Sequence, residues 1–440
     1  MKRHQSIIVT IFAVLNCFGF AAKPALGQQA RTDNEISFYQ RLLKSDPQNG
    51  RGYFALADAL IRKARESGDP EYFNRAEAAL KQALEITPRN PLALRHLAYV
   101  YYSRHEFAPA AVEAERAIAL NPNDAHAYGI LGDALMETGE YAKAEESYRK
   151  MMAFDNSLYS YSRLAGIKYL CGDIFGSMAD LTTAAAIGKF SKQPAESLAW
   201  VQWQLGNDYF SQGKLAEAES QYRQALESYP DYFRANAGLA QVKAAQAHYD
   251  DAIALYRKSI AVIPMPEYIA ALGEVYEKLG WTEEARKQYD LVEYIGKLSA
   301  LNKVLYNREL AYFYADRNIK PAEGLALAKR ELDYRKDVYA YDVLAWNLFR
   351  NGEFAEARAA IDEARKLGTP DAKLFFHAGM IYERVGEKEN AAKFFTRALA
   401  INPHFHILFA DQAMRMLGLL DESTKLMATA QQSEVAPCVD

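Results

Sequence analysis

The feature that most restricts this chain is an internal period of 34 residues. Ala117-Ile118-Ala119-Leu120-Asn121-Pro122 recurs as Ala398-Leu399-Ala400-Ile401-Asn402-Pro403, and Ala83-Leu84-Glu85-Ile86-Thr87-Pro88 repeats the theme. Pro88 and Pro122 are 34 residues apart, as are Pro230 and Pro264. Self-similarity at such a spacing marks a stacked array of small units and argues against one globular core.

A shared frame precedes the prolines. One unit reads Gln202, Leu205, Gly206, Tyr209, Ala218, Tyr222, Ala225, Pro230, and another reads Phe375, Ala378, Gly379, Tyr382, Ala391, Phe395, Ala398, Pro403. Tyr128, Leu131, Gly132, Leu135, Ala144, Tyr148 and Met151 follow the same spacing. The offsets are 4, 7, 8, 11, 20, 24, 27 and 32 of the period. The first four make one face of a helix, and 20, 24 and 27 make one face of a second. Small residues at 8 and 20 let the two helices approach closely. A turn such as Thr138-Gly139-Glu140 separates them, its glycine suited to closing the first helix in a left-handed conformation. The proline at 32 stops the second helix. One hairpin cannot bury its apolar face alone, so neighbours must stack.

The frame resembles the tetratricopeptide repeat and covers nearly all of the chain beyond the N-terminal segment. The resemblance implies an all-α fold, a right-handed α-α superhelical solenoid of about ten helix hairpins with terminal capping helices. Ten unit starts are readable, near Gly50, Pro91, Ala125, Leu158, Ala199, Phe233, Pro266, Val304, Val338 and Ala372. Residues 28–49 form an N-terminal half-repeat helix, 50–404 the array, 405–432 C-terminal capping helices and 433–440 a flexible tail. Extra residues at 65–70 and 188–197 are expected in loops, and the unit near Val304 follows a spacing of 38.

The N-terminus reads as a secretory signal over 1–27. Lys2 and Arg3 precede a charge-free apolar run from Ser6 to Ala22, and Ala25-Leu26-Gly27 presents small residues for cleavage before Gln28. Ala22/Lys23 is the alternative cleavage point. Export to the periplasm or cell envelope is the expectation, with no transmembrane span in the mature chain. Cys171 and Cys438 are too few and too far apart for a disulfide scaffold. The net charge of −4, without a basic block, argues against nucleic acid as a partner.

The resemblance also supplies a groove register. In this family the first helix of each unit lines the concave face, with offsets 2, 5, 9 and 12 pointing there. That register selects Arg95, Tyr99 and Tyr102, then Asp133, then Tyr169. The fifth unit adds Trp200, Trp203, Asn207 and Phe210. Glu274, Arg308 and Tyr312 follow, then Asp342, Trp346 and Phe349. Gln241, Glu267 and Glu277 share the register. Aromatic clusters of this kind mark binding surfaces. Of 29 tyrosines, 13 occupy packing offsets and six the groove, so most of the tyrosine content is packing chemistry.

The Lys and Asn pairs with which some family members clamp a C-terminal carboxylate are absent. The corresponding pairs are Arg95/Tyr99, Gly129/Asp133, Ser162/Gly166 and Trp203/Asn207. No phosphate loop, dinucleotide glycine pattern or nucleophile elbow occurs, and His404 and His406 lack a third ligand for a metal. The expectation is a non-catalytic scaffold of the bacterial envelope, without cofactor or metal. It would bind a protein or peptide segment in an aromatic groove, with a glycan as the alternative ligand.

Overall fold

The computed structural model describes residues 26–67, 69, 71–301 and 307–420. Among them no strand occurs, and antiparallel helix pairs follow one another from end to end. First helices begin at the expected Gly50, Pro91, Ala125, Leu158, Phe233, Pro266, Val338 and Ala372. Local chemistry sets these starts. Asn90 accepts from the N–H groups of Leu92 (3.1 Å) and Ala93 (3.2 Å), while Pro91 fills the first helical position. Asp124 accepts from the Ala127 N–H at 3.2 Å.

The first helices end on a left-handed residue. Gly139, Gly172, Gly213, Gly280, Gly352 and Gly386 have φ between 70° and 87°. His105, Ala247 and Asn318 fill the same slot in other units at φ 63°, 59° and 53°. The small residue at offset 8 has an equally direct cause. A Cβ on Gly132 would lie 2.3 Å from the Tyr148 ring, and one on Gly379 would lie 2.6 Å from the Phe395 ring. Glycine at 8 thus makes room for the aromatic residue at 24.

The insertions are mostly helical, which corrects the expectation of loops. The first helix of the first unit runs Gly50–Ser67, against 13 residues for Pro91–Ser103. The extra residues at 188–197 lengthen Ile174–Phe190 at its end and start Ala195–Ser211 early, so the fifth unit opens at Ala195. The wide spacing before the eighth unit is taken up by the 20-residue helix Thr282–Leu301, and the next helix starts at Asn307.

The array also closes on itself. Three equivalent contacts join units five apart. Each reaches a carbonyl near the end of a first helix, one of the groups a helix leaves without an internal partner. Lys336 N–H donates to Glu137 O at 2.9 Å, the Thr369 hydroxyl to Leu170 O at 2.6 Å, and the Asn402 amide to Phe210 O at 2.7 Å. The linkers after the eighth, ninth and tenth units therefore satisfy the third, fourth and fifth. Charge reinforces the first of these contacts. Arg335 donates to Glu137 (2.7 Å) and Glu331 (2.9 Å), and Arg308 donates to Glu331 (3.1 Å) and Asp337 (2.7 Å). Tyr141 OH accepts from the Val338 N–H at 2.9 Å.

At the N-terminus, Leu26–Ser45 packs on the first unit through Ile36 and Leu43. The proposed signal falls, apart from Leu26 and Gly27, outside the described residues, as do 421–440. At the other end, Phe405 and Phe409 join the core around Phe376 and Phe395, with a helical stretch at 409–420. The segment then reaches back to earlier units. Ile407 packs on the cluster containing Tyr256 and Leu272, and Lys278 pairs with Asp411 at 2.5 Å.

Candidate ligand-binding cavity

Stacking of neighbouring units decides what the inward-facing positions do. Several that the groove register selects are buried and committed to their neighbours. Asp133 is 5% exposed and receives both Arg163 Nε and Nη2 at 2.8 Å, together with the Tyr148 hydroxyl at 3.0 Å. It ties the third unit to the fourth. Asp342 accepts from Tyr312 OH at 2.7 Å and holds His377 Nδ1 at 2.9 Å, joining the eighth, ninth and tenth units. Trp346 is 0% exposed, stacked on His377 at 4.3 Å and Phe349 at 5.0 Å, and its indole N–H donates to Asp316 at 2.8 Å. Tyr102 and Phe210 are buried too. The expectation that these five line an open groove is therefore corrected: in the closed superhelix, stacked first helices use them on one another.

The remaining positions divide. Arg95 bonds Asp124 at 3.1 Å, and Arg308 belongs to the seam network. Tyr99 lies between the cores of the first three units, and burial raises its hydroxyl pKa. Burial also raises that of Tyr169, which packs on the cluster around Leu158 and Leu181. Asn207 accepts from Tyr222 OH at 2.8 Å. Trp200 and Trp203 sit with ring centres 6.4 Å apart, half-buried, and the Arg234 guanidinium covers Trp203 at 5.1 Å. Phe349 is half-buried against Trp346.

Glu274 and Tyr312 converge elsewhere. They line a cavity of about 550 Å³ in company with Gln241 and Glu267. First helices of the sixth, seventh and eighth units form one side, and residues 403–414 with Lys373 form the other. Tyr249, Tyr256 and Phe313 supply ring surface. An adjoining depression shares Lys278, Asp316, Arg317 and Asp411 with it. The volume lies within the range of small-ligand and side-chain sites.

Most of the charges in the cavity are paired. Lys373 Nζ binds Asp316 at 2.8 Å, His406 Nε2 faces Glu274 at 3.4 Å, and Arg317 pairs with Glu277. The proximity of Lys373 keeps the Asp316 carboxyl below its ordinary range against the opposing effect of burial. Glu267 and Glu309 behave differently. Burial pushes Glu267 up to about 7, aided by the charge of Glu309, and burial raises Glu309 as well.

Sequence reasoning found Gln241, Glu267, Glu274 and Tyr312 but not the opposite wall. Lys373 stands at offset 2 of the tenth unit, a groove position beside aromatic neighbours. Asp316 and Arg317 follow the last groove offset. His404 and His406, which lack a third ligand for a metal, serve as cavity wall. Among the described residues no three His, Cys, Asp or Glu side chains group to hold a metal, and no helix is long and apolar enough to cross a membrane.

Comparison with known proteins finds the same repeat. Tetratricopeptide repeat profiles match residues 104–157, 197–265 and 343–404. The chain is 24% identical over 374 residues to a TPR repeat-containing protein of Methanocaldococcus jannaschii, covering 83% of this chain and 53% of that protein. It is 27% identical over 163 residues to the heat-shock protein cognate co-chaperone sgt12 of Aspergillus fumigatus, covering 33% and 48%. The chain thus spans about half the length of these curated relatives. Among solved structures, the human IFIT1 dimer with PPP-AAAA superposes with a TM-score of 0.50 at 18% identity, covering 77% of this chain and 78% of that one. That likeness concerns the fold.

Proposed function

We propose that this chain, a member of the tetratricopeptide-repeat superfamily, is a non-catalytic scaffold of the bacterial cell envelope that holds a segment of a partner polypeptide. Proteins of this repeat family serve typically as protein-interaction scaffolds. The observation that carries the reading here is the cavity at the inner face of the sixth to eighth units. In it, the first-helix positions that a repeat array offers to ligands remain open to one, whereas Asp133, Asp342 and Trp346 are consumed by packing. Fold alone does not give function, so the reading stands on that cavity and its lining. Export rests on the N-terminal basic and apolar pattern of 1–27.

Site-specific photocrosslinking in the living cell tests it. A photoreactive phenylalanine analogue at Tyr249, in the cavity wall, should give adducts with a polypeptide that the same analogue at Lys143 does not. Lys143 is an outer-face residue whose side chain is 71% exposed. Protease-resistant, glycosidase-sensitive adducts would replace the polypeptide by a glycan. Identical adducts from both positions would refute a role for the cavity. Fractionation should place the protein in the envelope with its N-terminus at Gln28. Full-length protein in the cytoplasm would overturn export.

A further inference from the structure

Five carboxylates line the cavity, and three of them have a cation at hand. Glu274 faces His406, Asp316 holds Lys373, and Asp411 holds Lys278. Glu267 and Glu309 have no ion pair among the described residues. Arg234 pulls on Glu267, and Arg308 and Arg335 on Glu309, without reaching ion-pair contact, and burial outweighs that pull. Arg234 lies over the rings of Trp203 and Phe233, 5.1 Å from each centre. Arg308 is shared between Glu331 and Asp337.

Both carboxylates sit in the first turn of their helices, Pro266–Lys278 and Asn307–Arg317. There the backbone N–H of each favours its charged form, against burial. Glu267 Oε2 is buried without a hydrogen-bond partner. Two carboxylates buried near one another disfavour each other's charged state. An acceptor oxygen left bare in a cavity is a further cost, unless something occupies the space. Tyr312 and Phe313 stand on the same helix as Glu309, and Tyr249 and Tyr256 complete the ring-lined wall. Carboxylates beside aromatic faces suit a cation carried on an apolar stem, since ring faces attract positive charge and the stem buries against them.

Resting on the scaffold reading, we infer that the cavity receives a basic side chain, the ammonium of lysine or the guanidinium of arginine, from the partner polypeptide. The cation takes the open Oε2 of Glu267 and the carboxylate of Glu309, and its stem lies along Phe313. The partner segment therefore presents a basic residue as its anchor, the reverse of a clamp for a terminal carboxylate.

The test is a binding titration of the intact protein with three capped, labelled nonapeptides that differ only at the central residue: Lys, Arg or Gln. The Lys and Arg peptides should bind at least about tenfold more tightly than the Gln peptide, the equivalent of about 1.4 kcal/mol. In Glu267→Gln/Glu309→Gln that preference should vanish, while weak binding of the Gln peptide stays as it was. Glu283→Gln, on the exposed start of Thr282–Leu301, should change nothing. Because the double variant removes two buried repelling charges, its melting temperature should equal or exceed that of the wild type, which separates lost binding from lost fold. Equal binding of all three peptides, no binding by any of them up to about 10 mM, or a basic preference that survives in the double variant would each overturn the inference. Tighter binding of spermidine than of the Lys peptide, lost in the double variant, would overturn the polypeptide source. Adducts at Tyr249 that persist in the double variant would leave the scaffold reading standing while the basic anchor falls.

Discussion

The seam between units five apart makes a demanding prediction at Arg335. This guanidinium is the cation bonded to Glu137, at 2.7 Å, and it lies over the Phe107 ring at 5.2 Å. Arg335→Met keeps much of the stem and removes the charge. Glu331 retains Arg308 at 3.1 Å, but Glu137 keeps only the unbonded charge of Arg308 against that of Asp337 in a buried site, where desolvation already raises its pKa above the ordinary 4.5. Breaking a buried pair from one side costs about 3–5 kcal/mol. A carboxyl can escape that cost by taking a proton, which sets a ceiling of about 4 kcal/mol at pH 7.5 and about 1.4 kcal/mol at pH 5.5. Side-chain exposures of 13% for Arg335 and 16% for Glu137 reduce the first figure, and we expect about 2–3 kcal/mol at pH 7.5. The sign follows from linkage. A carboxyl whose folded pKa is raised destabilises the fold above its unfolded pKa, and the penalty fades as pH falls toward 4.5. Burial, helped by the charge of Arg335, holds the pKa of His105 below its ordinary range. Hydrogen exchange reads the effect locally, at the Lys336 and Val338 amides that donate to Glu137 O and Tyr141 OH. Protection there should fall about 30- to 150-fold in the variant at pH 7.5 and about tenfold or less at pH 5.5. Unchanged protection at pH 7.5, or a loss of equal size at both pH values, would refute the reasoning.

Other consequences are simpler to test. Gly132→Ala puts a methyl group 2.3 Å from the Tyr148 ring and should cost about 1–3 kcal/mol in urea unfolding, whereas Gly166→Ala meets nothing within 4 Å and should stabilise by about 0.5–1 kcal/mol. Equal effects at the two sites would show that the offset-8 glycine is not a packing device. Glu267, raised to about 7 by burial, penalises the fold increasingly as pH climbs above 4.5. Glu267→Gln should therefore melt higher than wild type at pH 8 and lose that advantage by pH 5, and a constant difference would contradict the assignment. Trp346→Ala empties a fully buried site and should cost about 3–5 kcal/mol by calorimetry. A variant as stable as wild type would mean that Trp346 faces open space after all.

How much of this was legible beforehand depended on the range of the interaction. Unit starts at Pro91, Ala125, Leu158, Phe233, Pro266, Val338 and Ala372 are written locally, in caps, prolines and the left-handed residue that ends each first helix. The Gly132–Tyr148 fit is equally local, because both partners belong to one hairpin. The insertions carry no such local mark, because a longer helix and a longer loop cost the chain the same number of residues, and the buried face of Ile174–Phe190 ends at Gly188. The candidate site was half visible. Glu274 and Tyr312 follow from the register, since the cavity wall they share is made of consecutive first helices. Lys373, His404 and Asp411 reach it only because the superhelix brings the tenth unit and the C-terminal segment against the sixth and seventh. That approach depends on small inter-unit rotations summed over five units, and no 34-residue pattern records their total. Contacts between neighbouring units, which an open array would share, removed Asp133, Asp342 and Trp346 from the groove.

Closure is the claim on which the surviving cavity rests, and one crosslink tests it. Lys278 Nζ lies 2.5 Å from Asp411 Oδ2, close enough for a carbodiimide to join the two through an amide. In the full-length protein at micromolar concentration that crosslink should form within one chain in high yield. Mass spectrometry of the digest would show the peptides of the seventh unit and of the C-terminal segment joined. An extended solenoid keeps these two segments apart, and would give no such crosslink or only crosslinks between separate molecules. That outcome would contradict the closed array.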